Sequence, residues 1–193
     1  QLSLSAATIE EIYQGIAQVA EALGVSERAP AVIERERQRL EVVRQRTAQL
    51  RRSTLVLLEW TDPFFAMGNW GPELVEIAHG EPLLGHAGEF STAIPAEQLR
   101  DADPEYIVVA PCGFNLERAE QEQSVLERHP WWRDLRAVRE GNVVFADGNL
   151  LFNRPGMMTA PSVEILAQIL HRVQLDAPPD DRHWSRTPPL VAA

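Results

Sequence analysis

The stretch TLVLLEWTDPFFAMGNWGPELVEIAHG, Thr54 to Gly80, decides the fold. Leu55 to Leu58 is a continuous apolar run, short enough for a strand and uninterrupted enough for a strand covered on both faces, as in a parallel sheet. Glu59-Trp60-Thr61-Asp62-Pro63 ends it. Pro63 lacks a backbone donor and pushes Asp62 toward an extended conformation, so a loop is expected from there. Gly68 to Pro72 announces a helix, with Pro72 in its first turn, Glu73 and Glu76 near its positive end and Gly80 closing it. Trp60, Phe64, Phe65 and Trp70, with Asp62, therefore crowd one loop at the carboxyl end of a strand, the rim where open α/β sheets bind ligands. Four aromatics in eleven residues of a Gly- and Pro-containing loop lean toward a flat apolar ligand surface. Packing into the core competes with that reading for each ring, and Asp62 can instead cap the following turn.

Working outward, two helices precede this stretch. Ile9, Ile12, Tyr13, Ile16, Val19, Ala20 and Leu23 recur at threes and fours, predicting an amphipathic helix with Ser5 as N-cap and Gly24 as its stop. A second begins at Ser26, with Ala29, Ile33, Leu40, Val43 and Leu50 on one line. Its charged part, Ala31 to Arg52, is free of Pro and Gly and would reach roughly 35 Å. Glu34, Glu36 and Glu41 interleave with arginines there, the pattern of a solvated face. Downstream come a short edge strand near Glu81, a loop from His86 to Ser91, a helix from Ala96 to Asp101, a strand from Tyr106 to Ala110, a polar helix near Leu116 to Arg128, a strand from Asn142 to Ala146 and a helix from Thr159 to His171. Residues 1–52 are thus helical, 53–175 form an α/β lobe with a mainly parallel sheet and flanking helices, and 176–193 are a Pro-rich, loosely held tail.

The 193 residues suffice for one domain, and their net charge of −10 argues against a nucleic-acid partner. All basic residues are Arg, which excludes a lysine Schiff base or a P-loop lysine. No apolar run reaches the roughly 20 residues of a membrane span, and the first residues lack a signal-peptide pattern. His79, His86, His129, His171 and His183 fall at no metal-binding spacing. Cys112 stands at a strand end where a nucleophile could act, yet no motif supplies its base; an enzyme built on it or on Asp62 is the alternative class. A bare protein-interaction module is another.

Parallel strands would bring three loops to one rim: Trp60 to Trp70, Pro111 to Asn115 and Asp147 to Gly156. Their flat apolar surface and few oriented amides suit a large, neutral, amide-bearing ligand and no catalysis. The segments Leu58-Glu59-Trp60-Thr61-Asp62-Pro63, Gly68-Asn69-Trp70, Ala110-Pro111-Cys112-Gly113-Phe114, Leu135 to Arg139, and Asp147-Gly148-Asn149 with Phe152-Asn153-Arg154-Pro155 resemble the cobalamin-binding substrate-binding proteins of ABC importers. The likeness runs from about Ser5 to His171, and relatives of similar fold take haem, siderophores or metal ions.

Such proteins have two α/β lobes joined by one long rigid helix, with the ligand between them. This chain resembles the connecting helices and the C-terminal lobe, and Leu2 to Ser5 look like the sequence just after the first lobe; the N-terminal lobe is therefore an expected partner. The resemblance implies an extracytoplasmic setting, cobalamin or another corrinoid as ligand with no resident cofactor or metal, and an ABC permease as partner, docked through Glu97. It also implies that Trp60, Asp62, Pro63 and Phe65 line the cleft, that Phe90 faces the ligand, and that Asn149, Phe152, Asn153 and Arg154 contact its amides. The rim reading adds Asn69, Trp70 and Phe114. Haem or an iron-siderophore is the alternative ligand.

Overall fold

The structure, a computed structural model, describes residues 4–173, 175 and 181–189. Leu2, Ser3 and the rest of the tail lie outside the described residues. Among the described residues, seven strands form one sheet: β1 (Thr54–Thr61), β2 (Phe64–Ala66), β3 (Glu81–Pro82), β4 (Thr92–Ala93), β5 (Tyr106–Val109), β6 (Val143–Ala146) and β7 (Trp184–Arg186). Its order is β4-β2-β1-β5-β6-β7, and β3 pairs with the start of β1. The ladders of β1 with β3 and β5, and of β5 with β6, are parallel; β2, β4 and β7 are added antiparallel at the flanks. The architecture is the expected α/β one, with a mixed sheet whose centre is parallel.

Alternation along the strands divides the core into two layers. Leu55, Leu57, Val108 and Val144 face α1 (Ile9–Ala22), α2 (Ala29–Thr47), α3 (Gly71–Ile77) and α8 (Thr159–His171), meeting Ile12, Leu40, Val43, Leu74 and Leu166. Val56, Leu58, Ile107, Val109 and Phe145 face the opposite way, against Leu99 of α4 (Ala96–Ala102), Leu126, Trp132, Leu135 and Val138. Covering on both faces explains why these strands are uninterrupted apolar runs.

Several expectations are corrected. Thr8, not Ser5, caps α1, its hydroxyl accepting from the Glu11 amide at 3.2 Å. The second helix begins as a 3₁₀ turn, Ser26–Arg28, and α2 stops at Thr47, giving roughly 28 Å; Leu50 lies beyond it and is exposed. The polar helix after Asn115 is two short ones, α5 (Leu116–Glu120) and α6 (Gln123–Leu126), followed by α7 (Arg136–Arg139). Within the stretch read as a loose tail, Trp184–Arg186 pair with Ala146–Val144 as an antiparallel edge.

The charge run of α2 is also not wholly solvated. Glu36 falls on the line Ala29, Ile33, Leu40, Val43, at the three-to-four-residue spacing of the buried face, and is 1% exposed. Its carboxyl accepts from the Ala160 amide at 3.1 Å in the first turn of α8, where backbone N–H groups lack helical partners. Arg39 grips Glu164 of α8 through Nε (2.8 Å) and Nη2 (2.6 Å) and lies 3.5 Å from Glu36. Burial raises the Glu36 carboxyl above its ordinary range, opposed by the Ala160 amide and Arg39. A raised acid contributes stability that is complete below its unfolded value and is lost as pH rises through the folded one. Chemical denaturation from pH 4 to 8 should therefore show a smaller pH-dependent loss in Glu36→Gln than in the parent; an unchanged slope would refute this.

Candidate ligand-binding site

The site is built where β1, β5 and β6 end together. The loop after β5 donates the Cys112 amide to the Glu59 carbonyl at 3.1 Å, and the Asn149 amide in the loop after β6 donates to the Phe114 carbonyl at 3.0 Å. Asn153 Nδ2 donates to the carbonyls of Ala110 (2.8 Å) and Gly148 (3.1 Å). The end of β1 and the loops after β5 and β6 are thus stitched into one rim, as the parallel strands required. A Cβ on Gly148 would lie 2.3 Å from the Pro111 oxygen, so the closest approach of two of these loops depends on that glycine.

β1 does not give way to a loop at Asp62. It runs to Thr61 and turns through Asp62-Pro63, whose peptide is cis, directly into β2, with Thr61 opposite Phe64 and a register shift between Leu58 and Trp60. This hairpin sorts the four aromatics. Phe64 points into the core and Trp70 is 8% exposed, its Nε1 donating to the Phe152 carbonyl at 3.0 Å. Trp60, at 36% exposure, stays at the rim with half-buried Phe65 and exposed Asp62 and Pro63; its Nε1 donates to the Asp62 carbonyl at 3.1 Å.

Of the remaining predicted contacts, Phe152 is fully buried with Trp70 in one core layer, so neither ring presents a surface to a ligand. Asn153 is taken up in stitching the loops. Asn69 adopts a left-handed backbone (φ 49°) and anchors the loop that carries Phe90: its amide donates to the Glu89 carbonyl at 2.5 Å and its carbonyl accepts from Gly88 at 3.0 Å. Phe90 stands 78% exposed on that loop. In the last loop, Arg154 Nη2 donates to Asn149 Oδ1 at 2.9 Å, leaving exposed guanidinium edge beside an amide.

The centre of the rim is a ring pair. Trp60 and Phe114 have centroids 5.2 Å apart at 50°, and the Arg118 guanidinium lies over the Phe114 ring, 4.1 Å from its centroid. Arg118 escaped the sequence reading. The usable signal was Asn115, whose Oδ1 caps α5 by accepting from the Arg118 amide at 3.0 Å and so fixes the helix start that carries Arg118 close behind Phe114 in sequence. Behind Trp60, half-buried Glu59 is pushed above its ordinary value by burial, with the Ser91 hydroxyl acting against the shift. Cys112 is exposed, and among the described residues no group of three or more His, Cys, Asp and Glu is arranged to hold a metal.

A helix-flanked α/β lobe with its loops gathered at the carboxyl ends of parallel strands matches one lobe of a TroA-like periplasmic binding protein. The sequence profile of the periplasmic binding protein family matches residues 2–150, and the chain belongs to that family. Among solved structures, a periplasmic haem-binding protein from Pseudomonas aeruginosa is 19% identical with a TM-score of 0.76, over 95% of this chain and 67% of that one. The periplasmic vitamin B12-binding protein of Vibrio cholerae is 19% identical (TM-score 0.64), over 87% of this chain and 63% of its own. A protein of an ABC-type Fe3+-hydroxamate transport system from Saccharomonospora viridis is 18% identical (TM-score 0.69), over 86% and 57%. The chain thus spans about three fifths to two thirds of these relatives. No curated protein matches it. The family and these neighbours are substrate-binding proteins rather than enzymes, and the family implies an extracytoplasmic setting. No helix among the described residues is long and apolar enough to cross a membrane.

Proposed function

We propose that this chain forms one wall of the ligand cleft in the substrate-binding component of an ABC importer, and that its ligand is cobalamin or a related corrinoid. The observation that carries the reading is the ring pair Trp60–Phe114 set beside the Asn149–Arg154 edge. Ring faces bury the apolar surface of a large planar ligand, while amide and guanidinium groups satisfy its peripheral amides; a ligand lacking them leaves those groups unpaired. Exposed Phe90 extends the apolar surface.

Between α1 and the far end of the rim loop after β6, Leu4, Ile12, Ile16, Val19, Pro155 and Met157 line an apolar groove of about 310 Å³. That exposed surface supports a second lobe packing against α1 to complete the cleft. Glu97, exposed in the first turn of α4, is the proposed contact to the permease. Haem or an iron-siderophore is the second reading, favoured by the exposed arginines Arg118 and Arg154, which suit carboxylates or hydroxamates.

Calorimetric titration with cyanocobalamin, haemin and a ferric hydroxamate, on this chain and on a two-lobed form, tests the proposal. Cobalamin saturating the two-lobed form most tightly, with Glu97→Ala titrating like the parent but failing to stimulate the permease ATPase, is the expected outcome. Preference for haemin or the hydroxamate overturns the corrinoid assignment, and no binding of any of the three overturns the receptor reading.

A further inference from the structure

A buried carboxylate behind the rim has no part in ligand contact as described so far. Glu122 is 5% exposed and sits between α5 and α6. One of its oxygens, Oε2, accepts from the hydroxyl of Thr61, the last residue of β1 and itself 3% exposed. The other, Oε1, accepts from Arg118 Nη1 at 2.5 Å, one helical turn back. Arg118 in turn lies over Phe114, and Phe114 faces Trp60, the neighbour of Thr61 along the strand. The contacts close a circuit: Trp60 and Thr61 leave β1 on opposite sides, and Glu122, Arg118 and Phe114 lead from one back to the other.

We propose that Glu122 is a positioning residue of the ligand site: by holding Arg118 across Phe114 and tying both to Thr61, it sets the angle and separation of the Trp60–Phe114 pair. The physical reasons are threefold. A carboxylate this buried is retained only with full satisfaction, and here both oxygens are used. Arg118, with a side chain 44% exposed, would sample many rotamers as a lone surface residue; the charge-assisted bond to Glu122 removes that freedom and fixes its plane over the ring. Two rim rings on different elements, one at the end of β1 and one in the loop after β5, have no covalent reason to keep one geometry, and a planar ligand rewards a geometry formed beforehand.

The inference rests on the proposed ligand site, and the experiment separates the two. Near-ultraviolet circular dichroism of the ligand-free chain, taken as a difference against Trp60→Phe, reports the Trp60–Phe114 geometry without ligand. Glu122→Ala and Arg118→Ala should each reduce that difference signal, whereas Glu122→Gln, which keeps an acceptor for Arg118, should retain most of it. Cyanocobalamin and haemin titrations on the two-lobed form should then show affinity about tenfold weaker in Glu122→Ala for whichever ligand the parent binds. The double variant Arg118→Ala/Glu122→Ala should be no weaker than Arg118→Ala alone, because both act through one ring. Additive losses, or an unchanged dichroism signal in variants whose thermal unfolding shows them folded at the assay temperature, overturn the proposal. Should the parent bind neither ligand, the receptor reading falls while the dichroism series still decides the brace.

Discussion

Phe152→Ala should lower the unfolding free energy by about 3–5 kcal/mol, the range for removing a fully buried aromatic ring. Phe152 is 0% exposed and lies in the layer with Trp70, Leu151 and the α8 residues Ala160 and Val163. Its truncation opens a cavity inside that layer. The adjoining bond from Trp70 Nε1 is to the Phe152 carbonyl, so the backbone partner survives the substitution and the loss is chiefly one of packing and transfer. Urea denaturation measures the effect. The outcome also separates two roles for this ring. The likeness to cobalamin binders placed Phe152 against a ligand, whereas burial makes it structural. Ligand affinity measured well below the variant's unfolding midpoint should stay within about twofold of the parent, a difference under 0.5 kcal/mol. A stable variant with lost affinity would restore the ring to the site.

Gly148→Ala is the second large effect, expected at about 3 kcal/mol, the upper end of overpacking costs. The added Cβ would stand 2.3 Å from the Pro111 oxygen, 2.5 Å from the Ala110 oxygen and 2.7 Å from the Ala110 carbonyl carbon. All three are backbone atoms, which cannot swing aside as the end of a side chain can. The loops after β5 and β6 must separate, and the Asn153 bridge and the Asn149–Phe114 bond lie across that seam. Stability and site are therefore coupled here, unlike at Phe152. Hydrogen exchange at the Asn149 amide should accelerate, and ligand binding should weaken in parallel with the denaturation midpoint shift. Unchanged exchange in Gly148→Ala would mean that the loops accommodate the methyl group without separating.

The legibility of this protein was uneven in a physically regular way. The apolar run at Leu55 to Leu58 announced a doubly covered strand and the segments Tyr106 to Ala110 and Asn142 to Ala146 announced strands, and the structure places strands at each. The helix at about Thr159 to His171 was legible because Val163, Leu166, Ala167 and Leu170 mark one apolar side, and the structure has Thr159–His171. The convergence of the three strand ends on one rim followed from parallel pairing alone. Hidden were the features that depend on distant partners. Asp62-Pro63 signals a break in a strand, but whether a loop or a hairpin follows depends on whether β2 finds an edge to pair with. Glu36 carries a charge, and its helical position on the buried line became decisive only because the first turn of α8 lies opposite with unpaired amides.

The sequence by itself determined the layering, the α/β class and the set of loops that form the rim, since these follow from periodicity and from Pro and Gly along the chain. Only the tertiary structure decided which aromatics stay exposed at the rim. Trp60, Phe64, Phe65 and Trp70 are equally apolar, and the antiparallel turn at Asp62-Pro63, with its register shift, sends Phe64 inward and leaves Trp60 beside Phe114. Alternation gives a side chain one of two faces, but a one-residue shift in pairing exchanges them, and that shift is set by contacts across the sheet.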